Sequence, residues 1–358
     1  MLGFRRLGWE VILIDRLEPE MCHDGAGRAC PVNESLNLSY FLDLVARFGL
    51  EGHFALLYDR GRRTVGLSKL DLLERVRRSA LLLNIMGFLN EEEILEAAPL
   101  RVFLDIDPGF GQMWRMLELA DLFSGHDRHV TIAENMGRSD CAVPSCGLDW
   151  LVTRQPIALD YWPAMTRSGN QFTSVASWRG PYAPVEYEGR TYGLRAHEFR
   201  KFVGLPLLTE LPLEVALEID SADARDLALL EANGWRVVDP RRVARDPDAY
   251  QRYIAGSLAE FSVAKNMYVQ SKSGWFSDRS ICYLATGRPV VAQDTGFAEL
   301  YPTGEGLLAF TTVEEARDAL ANVHGSWNRH SRAARTLAED YFDSTLVLAD
   351  LLSALGVA

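Results

Sequence analysis

The run Lys272-Ser-Gly-Trp-Phe-Ser-Asp-Arg-Ser-Ile-Cys-Tyr-Leu-Ala-Thr-Gly-Arg-Pro-Val-Val-Ala-Gln-Asp-Thr-Gly-Phe297 reads as loop, helix, turn, strand and loop. Tyr268-Val269-Gln270 reads as the end of a strand leading into it. Ser277 or Asp278 is placed to cap a helix from about Arg279 to Thr286, and Gly287 to stop it. Pro289 leads into the apolar strand Val290-Val291-Ala292, and Asp294-Thr295-Gly296 forms the loop at its carboxyl end. Gly274 lets the backbone approach a ligand closely. A Gly-Ser loop feeding a helix start offers unpaired N–H groups and the positive end of the dipole, which suits a phosphate. Arg279 in that first turn opposes the dipole but makes sense as a phosphate clamp.

Outward from this run, short apolar strands alternate with helical stretches in both halves of the chain, the pattern of parallel α/β sheets. In the first half strands are expected at 11–15, 81–85, 102–106, 130–133 and 150–153, and helices at 38–48, 69–78, 91–97 and 113–123. Phe4 to Gly8 reads as the end of a helix, so the strand and Gly-rich turn that normally open such a domain are expected to be missing. The irregular stretch from Pro156 to Asn170 reads as a linker. Beyond it come a strand at 172–177, a polar loop from Arg179 to Arg195, and a strand at 215–218. A helix at 222–233, strand 236–238, helix 247–259, strand 307–310 and closing helices follow. The expected division is 1–165, 166–343 and a tail, 344–358, packing back on the first domain.

Composition narrows the partners. With 37 basic against 49 acidic residues the formal charge is −12, which argues against general nucleic-acid or anionic-membrane binding. No run approaches the roughly 20 apolar residues of a membrane helix. Five Cys in no regular framework fit a reducing, cytoplasmic setting. His126, His129, Cys141 and Cys146 lack the tight Cys-x-x-Cys knuckle of a structural zinc site, so no metal is expected there.

Ser277-Asp278-Arg279-Ser280, followed by Leu284-Ala285-Thr286-Gly287-Arg288-Pro289-Val290-Val291, resembles the carboxyl-terminal nucleotide-sugar motif of the GT-B glycosyltransferases. The group-1-type and spore-protein glycosyltransferase-like families are the nearest in pattern. The resemblance implies an α/β protein of two Rossmann-like domains facing a cleft, the second holding a nucleotide-diphosphate sugar and the first an acceptor. It also implies an enzyme with no cofactor and no required metal. Two positions depart from the pattern. Those families place a Glu on this helix for the donor ribose, where Cys282 stands here, and a second Glu where Gly274 stands. Inversion and retention at the sugar are both left open.

The donor-binding residues that motif and position suggest are Arg179, Lys265, Gly274, Ser277, Arg279, Ser280, Asp294, Thr295 and Gly296. Arg179 follows a strand whose carboxyl end belongs to the ligand edge of an open α/β sheet, and Lys265, read as lying between a helix and the next strand, is a cation within reach of a diphosphate. Asp294-Thr295-Gly296 offers small polar groups to sugar hydroxyls. The acceptor base is sought among Asp107, Glu134 and His23, each at or just past a strand end. The alternating Asp105-Ile106-Asp107 also matches a metal-binding pair or a haloacid-dehalogenase nucleophile strand, but the later acidic motif of the latter is missing. Two other functions remain open: a binding protein of this shape without catalysis, and a nucleotide-sugar epimerase or hydrolase.

Overall fold

The computed structural model describes residues 1–357. The chain packs as two units, each built from separate stretches. Unit 1 comprises 1–106, 122–130 and 348–358; unit 2 comprises 107–121 and 131–347. This is a different division from a single boundary near residue 165.

In unit 1 the strands are β1 (Leu13–Leu17), β2 (Phe54–Tyr58), β3 (Arg63–Gly66), β4 (Leu82–Ile85), β5 (Arg101–Asp105) and β6 (Arg128–Thr131, whose last residue falls in unit 2). β1 and β2 are parallel, β3 returns antiparallel on β2, and β4, β5 and β6 are successive neighbours of another sheet. β2 shows why the first sheet is buried on both sides. Phe54 and Leu56 face a cluster with Leu17, Phe41 and Val45, while Ala55 and Leu57 face Leu72, Val76 and Ile94. A strand alternates its side chains, so one run of apolar residues serves two cores. The helix Leu36–Arg47 is started by Ser35, whose hydroxyl accepts from the Asn37 N–H at 3.2 Å, and it buries Phe41 and Val45 four residues apart. Leu348, Leu351, Leu352 and Leu355 near the carboxyl end are buried. Ala349 and Leu352 line an open pocket of about 470 Å³ with Leu7, Gly8 and Trp9.

Unit 2 holds β7 (Trp150–Val152), β8 (Phe172–Ser177), β9 (Val185–Tyr187), β10 (Arg190–Tyr192), β11 (Leu213–Glu218), β12 (Arg236–Val238), β13 (Ala259–Ser262), β14 (Val290–Gln293) and β15 (Leu307–Phe310). Among the described residues its main sheet has six strands in the order β12-β11-β8-β13-β14-β15, and its pairs are parallel. The chain builds outward from β8 in one direction, then returns to β8's other side and builds the opposite way. Between β8 and β13 the order reverses, the position at which open α/β sheets take ligands outside the carboxyl ends of their strands. β14 illustrates the packing. Val291 faces Leu308, Leu320 and Trp327, whereas Val290 and Ala292 face Leu284, Ala334 and Phe342.

Several local expectations fail for identifiable reasons, among them the helix expected at 247–259, which ends at Ala255 ahead of β13, a strand not expected in the apolar stretch from Leu258 on. Tyr268-Val269-Gln270 lies in the helix Asn266–Ser271, not in a strand, because β13 has already ended at Ser262; Lys272, at φ +48°, stops that helix. The first-half helix expected at 113–123 starts earlier, at Phe110, and ends at Met116. The polar loop 179–195 contains the antiparallel hairpin β9–β10, turned at Glu188 and Gly189 with φ of +48° and +73°. Positive φ at both central residues is the two-residue turn that matches strand twist.

Candidate functional site

The β8/β13 reversal is the place to look for a ligand, and cationic side chains gather there. Lys265 follows β13 as the residue before the helix Asn266–Ser271. Its ammonium pairs with Asp107 at 2.5 Å and sits 5.4–5.6 Å from the ring centres of Phe110, Tyr182 and Tyr268. Burial pulls its pKa down, Asp107 pulls it back up, and Arg195 lowers it again. Tyr268 donates its hydroxyl to Asp107 and stacks on Trp275 with ring centres 4.2 Å apart.

Arg195 opens the short helix Arg195–Phe199, directly after the hairpin. It is 8% exposed, donates Nη1 to the Val263 carbonyl, and leaves its Nε–H without a partner. Among the described residues no ion pair holds it. Burial, and next the charge of Arg279, lower its pKa to about 10. In the sequence Arg195 stands only as the end of the polar loop. The signal available was its position, since an Arg in a helix's first turn opposes the dipole unless an anion is close.

Arg279 lies in the first turn of the helix Asp278–Ala285, as expected, but its guanidinium is engaged inside the sheet. It bonds Glu260 Oε1 at 2.5 Å, Ser262 Oγ at 2.6 Å and the Val175 carbonyl at 2.8 Å. Burial alone would lower its pKa, and the Glu260 carboxylate outweighs this and raises it. A phosphate reaching Arg279 has to compete with a carboxylate that is itself fully buried. Arg179 is similarly paired, with two bonds of 2.6 and 2.5 Å to Asp223.

The two loops of the opening run meet. The Gly274 N–H donates to the Thr295 carbonyl at 2.9 Å, and Thr295 Oγ1 donates to the Trp275 carbonyl at 2.5 Å. Between them is wedged Asn135, whose amide donates to the Lys272 carbonyl at 3.1 Å and the Gly296 carbonyl at 3.2 Å. Gly274 and Gly296 both have positive φ, and a Cβ on either would come within 3.0 Å of Asn135. The close approach that these glycines permit is therefore to a protein side chain. Asp294 Oδ1 is taken up by the N–H groups of Gly296 and Ala298. Ser277 is 3% exposed, and the buried Ser280 hydroxyl has no hydrogen-bond partner.

Of the base candidates, Asp107 is the one joined to Lys265. Glu134 forms another cluster: Arg154 Nε donates to it at 2.8 Å, Tyr301 donates its hydroxyl, and Arg154 also lies 5.5 Å over Tyr301 and Tyr341. Burial raises the Glu134 pKa, against the pull of Tyr301 and Arg154. His23 belongs to unit 1, in the exposed loop after β1. His129 bonds the Phe123 carbonyl and Cys146 the Gln112 carbonyl.

No helix among the described residues is long and apolar enough to cross a membrane. No family model matches the sequence, and no curated protein matches it. Solved structures do match the fold. Alr3699/HepE of Anabaena, in complex with UDP-glucose, aligns with a TM-score of 0.54 at 12% identity over 97% of this chain and 100% of that one. A glycosyltransferase from Rickettsia africae ESF-5 gives 0.53 at 10% identity, covering 96% and 97%. Sucrose-phosphate synthase from Thermosynechococcus elongatus gives 0.52 at 11%, covering 96% and 99%. The parallel strand order with its reversal at β8/β13 and these alignments agree that the chain has the α/β fold of the GT-B glycosyltransferases.

Proposed function

We propose that the protein is a glycosyltransferase that binds the diphosphate of a nucleotide sugar at the β8/β13 reversal, with Lys265 and Arg195 as its principal cations. The observation that carries this is the meeting of a buried and a half-buried cation at a switch point, the buried one with an unused donor. Around them stand three cations, Arg195, Lys265 and Arg279, against two carboxylates, Asp107 and Glu260. That excess of one positive charge favours an anion in a dry site. The binding of UDP-glucose by a protein of the same fold supports the choice of anion. Transfer of the sugar leaves charge on the departing diphosphate, and fixed cations stabilise it without a metal. Ser277 and Ser280 at the start of the helix Asp278–Ala285 are the outer members of this donor site, and Arg279 holds its floor through Glu260. Gly274, Thr295, Asp294 and Arg179 are already bonded within the protein and join it only if the donor displaces those bonds.

Donor binding also gives Asp107 a role. When the diphosphate takes Lys265, Asp107 loses its cation and becomes the acceptor base. Glu134 and His23 are the other groups proposed for that proton.

The test is nucleotide binding followed by transfer. A nucleoside diphosphate at about 100 times its dissociation constant stabilises the fold by about 2.7 kcal/mol. For a unit of this size that is on the order of 5 °C or more in Tm. A flat melting profile across uridine, guanosine, adenosine and thymidine diphosphates sinks the proposal. Transfer that survives chelator supports the metal-free site, and transfer abolished by chelator and restored by manganese refutes it. Binding with no sugar moved indicates a non-catalytic binding protein, and release of free sugar a hydrolase.

A further inference from the structure

The loop after β1 contains a feature that the donor site does not use. Cys22 and Cys30 stand opposite one another in a short antiparallel ladder. The Cys30 N–H donates to the Cys22 carbonyl at 3.1 Å, His23 faces Ala29 as an antiparallel bridge, and the Asp24 N–H donates to the Arg28 carbonyl at 2.8 Å. Directly opposed positions of such a ladder put their side chains on the same face. Both thiols indeed pack on one apolar cluster, with Leu17, Phe41 and Val45. Opposed, hydrogen-bonded residues have Cα atoms about 5.5 Å apart. Disulfides form across about 4.4–6.8 Å.

We propose that Cys22 and Cys30 are a redox pair that closes to an intrachain disulfide by exchange with a small disulfide of the glutathione class. Their burial differs in the way that sequential exchange requires. Cys22 is 1% exposed, whereas Cys30 is half-buried and neighbours the exposed residues 25–29. The Cys30 thiolate attacks the external disulfide, forming a mixed disulfide and releasing one thiolate. The Cys22 thiolate then attacks the Cys30 sulfur and releases the second. The two thiol protons pass through solvent to the two departing thiolates; two protein sulfurs are oxidised and one external disulfide is reduced. The loop arrives ordered for this step. Asp24 accepts from the N–H groups of Ala26 and Arg28 at 2.8 and 3.0 Å and from Arg28 Nε at 2.9 Å, which holds the turn while the thiols are reduced. The Cys22 thiol donates weakly to the Glu18 carbonyl at 3.7 Å, a bond the exchange has to break; Cys146 donates likewise to the Gln112 carbonyl and Cys282 to the Asp278 carbonyl. Closure ties off the turn carrying His23 and Asp24, so the oxidised chain has a stiffer loop at the carboxyl end of β1.

The experiment uses the full chain, equilibrated in buffers running from reduced to oxidised glutathione, quenched with acid, labelled with N-ethylmaleimide and read by peptide mass spectrometry. The expected result is a peptide spanning residues 22–30 that has lost two hydrogens and takes no label in the oxidised buffers. The Cys22→Ala variant should instead accumulate glutathione on Cys30, because nothing resolves the mixed disulfide. Full labelling of both cysteines in oxidised buffer overturns the proposal. So does a mixed disulfide on Cys30 that persists in the parent chain, since it shows that Cys22 does not reach its partner.

Discussion

Two arginines at the same switch point separate by what each already touches. Arg279 and Glu260 are both buried and bonded to each other. Removing one member of such a pair strands the other charge, at about 3–5 kcal/mol. Arg279→Ala is therefore expected to lower Tm by more than any nucleotide raises it, and a double change to apolar residues at 279 and 260 to recover much of the loss. Arg195 has no carboxylate to strand. Arg195→Gln is expected to melt within a few degrees of the parent while diphosphate affinity, read by calorimetry, falls roughly tenfold to a hundredfold. The opposite result, a soft Arg279→Ala and an unaltered affinity in Arg195→Gln, would reverse the two roles. Sequence alone places Arg279 correctly at a helix start beside a strand. It does not show Glu260, nineteen positions away, because the pairing depends on β13 lying under that helix.

Glu134 yields a pH prediction. Its folded pKa is raised by burial, so the unfolded chain gives up this proton first as pH climbs. Stability contributed by the protonated form is complete below the unfolded carboxyl value, about 4.3. It is lost as pH rises from there through the folded value. Glu134→Gln keeps a neutral group in place and should flatten that descending limb in a plot of Tm against pH. Parallel curves for parent and variant would show that Arg154 and Tyr301 hold the carboxylate charged throughout.

At the scale of elements, the parts the sequence marks with strong local chemistry are the parts that match. The helix Asp278–Ala285 starts after Ser277 as expected, although the Ser277 side chain makes no capping hydrogen bond, and it stops before Gly287; β14 follows as a short apolar run behind Pro289. The helix Asn266–Ser271 was hidden because Tyr and Val favour strands, while its position after β13 decided otherwise. The hairpin β9–β10 lay in a stretch whose polar, aromatic and Gly residues read as loop. The glycines of the opening run were identified by type but not by partner. Gly296→Ala tests this reading. At φ +94°, with Asn135 Nδ2 2.5 Å from the added carbon, the change should cost well over the 1 kcal/mol typical of left-handed strain alone. The same change in an Asn135→Ala background should cost less, measured as a double-mutant cycle from denaturant unfolding. Additive costs would mean that Asn135 is not what the glycine accommodates.

On the scale of the whole molecule, the alternation of strand and helix was enough to read an α/β protein, since that pattern depends on local period. The return of the tail to the first domain is expected from the sequence, whereas the placing of 107–121 and 131–165 in unit 2 is not legible, because it depends on which distant segments share a core. The segment from Leu348 onward joins unit 1, whose other residues lie more than two hundred positions earlier. Leu348, Leu351, Leu352 and Leu355 are each at most 8% exposed. At about 1.5–3 kcal/mol for each buried leucine, their loss outweighs a large part of an ordinary domain's stability. A chain truncated before Ser344 is expected to lose the cooperative melting of unit 1 and to be cut early there in limited proteolysis. Undisturbed protection of residues 1–106 would show that the tail is dispensable.

That late return has a consequence at the ribosome. Unit 1 is begun first, yet its last residues are made only after the 107–347 stretch has been translated. At about 5–20 residues per second, that interval is on the order of 10–50 seconds. Throughout it, the surface that will receive the carboxyl-terminal leucines is synthesised but uncovered, while most of unit 2 is able to fold behind it. The nascent chain thus passes through a stage in which its older part is the less finished one. Chaperones that recognise exposed apolar segments would have their longest opportunity at the amino-terminal unit, and a ribosome stalled anywhere before residue 348 would hold it there.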